Sequence, residues 1–147
     1  MNNKEQSVTL FKEGFCCSQA VLVPYAEQWG LDREPFLKLA DAFGGGIGGM
    51  ASICGAVSGA IMVIGLKYGR TQPDDLDAKQ KNRTLVKEFV KRYKDRYGTI
   101  ECKELLGVDI STAEGQAIAK EKGLFESKCP KLIEDAVDIL DGILAEQ

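Results

Sequence analysis

Between Ala42 and Leu66 the chain carries no charged residue, and glycine crowds the first part of that stretch at Gly44, Gly45, Gly46, Gly48 and Gly49. Twenty-five uncharged positions are enough to cross a bilayer as a helix. Glycine, however, costs a helix interior about 1 kcal/mol per residue relative to alanine. The glycine run is therefore a poor helix, and the helical remainder, about Ser52 to Tyr68, is lined with glycine and alanine rather than leucine. The stretch predicts a buried central helix entered through a tight glycine turn, and no membrane span. Gly55 and Gly59 fall within about one helical turn of each other. They mark a face that a neighbouring helix or a ligand approaches closely, and either a partner copy or this chain itself can cover it.

The rest of the chain reads as helices, because no segment sustains the apolar–polar alternation of a strand. Residues 3–14 carry Val8 and Phe11 on one face. Residues 16–29 carry Ala20, Val21, Val23 and Tyr25, with Pro24 placed to kink or split the segment and Gly30 to stop it. Asp32 is the expected cap of a third helix that buries Phe36, Leu39, Ala40 and Phe43. Ser52 is the expected cap of the central helix and Gly69 its stop.

Thr71 to Tyr97 reads as a long helix with the stripe Leu85, Val86, Phe89, Val90, Tyr93 and Tyr97. Its acids lie early and its bases late, as the helix dipole favours, so its lysines form a solvated face. A short helix follows at Glu101–Leu106, and Ser111 with Glu114 has capping-box spacing. The last helix is expected to begin at Cys129–Pro130 and to bury Leu132, Ile133, Ala136, Val137, Leu140 and Leu144. The expectation is an all-α single domain over residues 1–147, a compact bundle of five to seven helices around the Gly/Ala-rich helix.

Composition narrows the function. A net charge of −3 gives no broad basic surface, which argues against nucleic acid. The N-terminal segment MNNKEQSVTLFKEG has no signal-peptide apolar run, so a cytoplasmic setting is expected. The chain has no histidine and five cysteines. Sulfur is then the expected reactive element, and five cysteines are too few for a secreted disulfide scaffold. No CxxCH occurs, so a c-type haem is excluded. The GGGIGG run lacks a preceding strand and a following Gly-Lys-Ser/Thr, so it does not support a phosphate loop.

Cys54 is the foremost reactive candidate. At the start of the central helix, unpaired N–H groups and the helix dipole would favour its thiolate. Gly45, Gly46, Gly48, Gly49 and Gly55 are candidates to cradle a cofactor or anion with free N–H groups. Cys129 has a similar expected setting at a helix start, and Cys102 lies in the short helix. Cys16 and Cys17 should point to different sides of a helix, so at most one is expected to join a site. No pair has C-x-x-C spacing, and spacing alone leaves the pairing open.

Four segments in order resemble a known family, the redox-active proteins named for the cysteine pattern C_GCAxxG_C_C. Cys54-Gly55-Ala56-Val57-Ser58-Gly59 matches its core. Gly14-Phe15-Cys16-Cys17-Ser18-Gln19-Ala20 is similar to its G-x-x-C-x-x-A segment, with Cys17 as the family cysteine. Cys102 in YGTIECKELLG and Cys129 in FESKCPKL resemble its two later cysteines. Cys16 stands where the family usually has a non-cysteine polar residue.

The resemblance implies Cys17, Cys54, Cys102 and Cys129 as redox or ligand residues. The leading expectation is thiol–disulfide chemistry, with Cys54 attacking, Cys17 resolving, and Cys102 with Cys129 as a second pair or relay. The partner would be a redox protein or a small molecule. A metal ion or iron–sulfur cluster held by the same four cysteines is the second reading. A non-catalytic helical interaction protein is the third.

Overall fold

The computed structural model describes all 147 residues. Eight helices are present: α1 Asn3–Lys12, α2 Cys17–Gln28, α3 Arg33–Asp41, α4 Gly55–Tyr68, α5 Leu76–Tyr97, α6 Cys102–Leu106, α7 Ala113–Glu121 and α8 Leu124–Ala145. The all-α expectation holds, and the count is eight helices rather than the expected five to seven. One isolated antiparallel bridge joins Ile53 to Glu101. No helix is long and apolar enough to cross a membrane.

The Gly/Ala-rich helix α4 shares the centre with α2. The segment from Cys16 to Ala26 carries no charge, and a helix without a charged face is suited to burial on every side. Accordingly α2 packs against α1, α3, α4 and α8. It also runs through Pro24 without splitting.

The glycines of α4 explain how closely the two helices meet. A Cβ on Gly59 would stand 2.8 Å from the Ser18 carbonyl oxygen, and one on Gly55 would stand 3.1 Å from the Cys17 Cβ. The small-residue face of α4 is therefore occupied by α2 of the same chain. Leu10, Phe89, Ile133, Val137 and Leu140 extend this core through α1, α5 and α8. A second, smaller cluster gathers Ala51, Cys102, Leu106, Ile110, Ala119 and Cys129.

Several helix starts differ from expectation, each for a local reason. Residues 52–54 are held extended, because the Ser52 carbonyl accepts from the Cys102 N–H (2.6 Å) and the Cys54 N–H donates to the Ile100 carbonyl (2.8 Å). The helix therefore starts at Gly55, with Cys54 rather than Ser52 at the cap position. Asp32 occupies the cap position of α3 without making a side-chain cap bond, and Leu39 is 60% exposed. The long helix starts at Leu76, not Thr71, where the Asp75 carboxylate accepts the Ala78 N–H (3.0 Å). Ser111 bonds Asp109 instead of capping, and Thr112 takes the Gly115 N–H (2.9 Å).

The last helix begins five residues before Cys129. Gly123, at φ +62°, starts it, and Leu124 and Phe125 pack on the smaller core cluster. Pro130 thus lies inside α8, and the helix forgoes the bond a residue-130 N–H would give the Glu126 carbonyl.

Candidate functional site

All five cysteines line one cavity of about 620 Å³. It lies where the two core clusters meet, between the N-terminal ends of α2 and α4, the glycine turn, α6 and the first turns of α8. Phe11, Phe15, Leu106, Ile110, Phe125 and Leu132 supply apolar wall, and the exposed lining residues Lys12, Gly14 and Glu126 mark its mouth. Neither Lys12 nor Glu126 is held in an ion pair. Five free thiols from four separate segments thus face one space.

Cys16 joins the site against expectation. Its backbone is extended (φ −76°, ψ 168°), so it caps α2 rather than belonging to it. Its N–H donates to Gln19 Oε1 (3.0 Å), and its sulfur lies 3.2 Å from Ser18 Oγ. Cys17, the first residue of α2, is therefore not turned away from it as two successive helical residues would be.

Cys17 packs against the smaller core cluster that contains Cys129, and both side chains line the cavity. The neighbouring Cys17 side chain lowers the pKa of Cys129 from its ordinary value, against the opposing effect of burial. The Cys129 side chain, together with burial, raises Cys17 well above its ordinary value. Of these two thiols, Cys129 is therefore the one whose surroundings favour the thiolate. Cys129 owes none of this to a helix start, since it is the sixth residue of α8.

Cys54 behaves differently from its sequence expectation. It is 4% exposed, and burial pushes its pKa up. The Ala56 and Val57 N–H groups at the start of α4, and the Tyr93 hydroxyl, pull it down without overcoming burial. The thiol makes no full cap bond to α4. Burial outweighs the helix terminus because the sulfur sits among apolar atoms that cannot solvate a charge. Cys102 is 7% exposed, and burial, with the neighbouring Cys54 and Cys129 sulfurs, pushes it up to about 12.

In the sequence Tyr93 is one position of an apolar stripe. It is fully buried, donates to the Leu132 carbonyl (3.3 Å), and neighbours Cys54 closely enough for each to shift the other's pKa. Its ring lies 5.0 Å from that of Tyr97, whose hydroxyl donates to Asp135. The periodicity that made Tyr93 a core residue carried no sign of a sulfur neighbour.

The glycine turn is a left-handed coil. Gly45, Gly46, Ile47, Gly48 and Gly49 all have positive φ, between +58° and +75°. A Cβ on Gly46 would stand 2.5 Å from the Ser52 nitrogen. Among the five glycines proposed for a ligand, Gly45, Gly46 and Gly55 line the cavity, whereas Gly48 and Gly49 lie outside it. No three Cys, Asp or Glu side chains are placed to hold a metal ion, so the donor set as arranged does not fit a Cys₄ zinc or iron–sulfur centre.

The fold and site define an all-helical protein with a thiol-lined cavity. Residues 15–143 match the model of the family described as "Putative redox-active protein (C_GCAxxG_C_C)", and the chain belongs to that family. No curated protein and no solved structure matches it.

Proposed function

We propose that this chain is a thiol–disulfide redox protein whose working pair is Cys17 and Cys129, acting in a reducing compartment such as the cytoplasm. The placement of both free thiols on one cavity wall, with Cys17 packed against the cluster that holds Cys129, carries the reading. Cys129 ionises first and attacks the oxidant. Cys17 then displaces the product from the Cys129 sulfur, and the pair has given up two electrons and two protons as its disulfide forms. This moves the attacking role from Cys54 to Cys129. Cys54 and Cys102, both raised in pKa, stay protonated beside the pair and are secondary to it.

Differential alkylation followed by peptide mass spectrometry tests the assignment. Protein reduced without oxygen and then mildly oxidised should yield one crosslinked peptide pair holding Cys17 and Cys129, lighter by two hydrogens and restored by reductant. A crosslink between Cys54 and Cys17, or none at all, would overturn it.

A further inference from the structure

The proposed dithiol leaves open what oxidises it, and the cavity bears on that question. Cys54, Cys102 and Cys129 are all at least nine-tenths buried. A disulfide on a folded protein cannot reach sulfur at that depth, whereas a small molecule entering past Lys12 and Glu126 can. A volume of about 620 Å³ lies within the usual range for small-ligand sites. Most of the wall is apolar, which favours an organic body over a hydrated ion.

A second observation specifies the ligand's polar end. Gly45, Gly46 and Gly55 line the cavity, and none of their N–H groups donates to any protein acceptor. Gly46 and Gly55 are buried. Buried backbone donors are nearly always paired. Two buried donors, Gly46 and Gly55, with half-buried Gly45 beside them, are thus free to bind an oxygen acceptor that a ligand brings into the cavity. The Cys102 thiol, 7% exposed and without a hydrogen-bond partner, faces the same space.

Resting on the dithiol reading above, we propose that the oxidant is a small organic hydroperoxide. It joins an apolar body to oxygen acceptors and takes two electrons from a dithiol. The Cys129 thiolate attacks the outer peroxide oxygen. The O–O bond breaks, sulfur becomes the sulfenic acid, and the alkoxide leaves and takes a proton to give the alcohol. Cys17 then attacks the Cys129 sulfur, releasing water and closing the disulfide. An external dithiol reductant restores both thiols and is itself oxidised to a disulfide. The cavity amides are suited to hold the charge that develops on the leaving alkoxide.

The test compares the oxidation rates of the reduced protein by cumene hydroperoxide and by hydrogen peroxide, each divided by the rate for free dithiothreitol. An apolar site should favour cumene hydroperoxide by about tenfold or more. A normalised ratio at or below one overturns the proposal. If Cys17–Cys129 still crosslinks under another oxidant, the dithiol reading survives that result. If no oxidant crosslinks them, both readings fall. In Cys17→Ser, cumene hydroperoxide should leave a sulfenic acid on Cys129 that dimedone traps, and trapping at Cys54 instead would count against the proposed step.

Discussion

Among single residues, Asp135 shows how a buried charge can be held. It is 5% exposed, and burial alone would raise its pKa. The Tyr97 hydroxyl, Lys131 (2.9 Å) and Arg96 (3.1 Å) outweigh burial and hold the carboxyl below its ordinary value of 3.8. The unfolded chain therefore binds this proton more readily in acid. The stabilisation is fully present above the ordinary value and is lost as pH falls through the folded one. Asp135→Asn should cost about 1.5–3 kcal/mol at neutral pH and flatten the acid limb of stability, read by urea unfolding from neutral to acid pH. An unchanged acid limb would remove Asp135 from this role. The sequence placed Tyr97 on the apolar stripe and gave no sign of its carboxylate partner, since the convergence of α5 on α8 that joins them is tertiary. Cys54 was legible as a helix-start thiol, but its burial was not, and burial reversed the direction of its pKa.

Among the elements, the glycine turn was legible and its internal differences were not. A tight turn can be read from GGGIGG, although Ile47 shares its left-handed backbone, and two of those glycines meet different surroundings. Gly46 (φ +73°) would drive a Cβ into the Ser52 and Ala51 backbone, whereas Gly49 (φ +75°) has nothing within 4 Å. Both alanine substitutions pay the left-handed penalty of about 1–2 kcal/mol. Only Gly46→Ala adds a backbone clash, so it should shift the urea midpoint clearly further than Gly49→Ala. Equal shifts would show that the turn relaxes freely. The start of α8 illustrates the opposite case. Pro130 after Cys129 has the pattern of a first helical position, but the apolar contacts of Leu124 and Phe125 carry the helix back to Gly123. Local turn chemistry lost to packing there, and with it went the helix-start argument for Cys129.

Across the whole molecule, the proposed pair joins α2 near the N-terminus to α8 near the C-terminus, and no local pattern could have matched them. The four cysteine segments were legible in order, but which sulfurs touch depends on how α2, α4 and α8 cross. The same topology gives the disulfide a mechanical consequence. A Cys17–Cys129 bond would close a loop containing most of the chain, from α2 to the start of α8. Loop-closure entropy assigns about 4–5 kcal/mol to a loop on the order of 100 residues, provided the native geometry accepts the bond without strain. The oxidised protein should therefore unfold at higher urea than the reduced protein, with a gap of that order. Cys17→Ser should erase the gap, while Cys54→Ser should keep it. Equal midpoints for the two redox forms of the native sequence would mean that this crosslink does not form, and would count against the pairing.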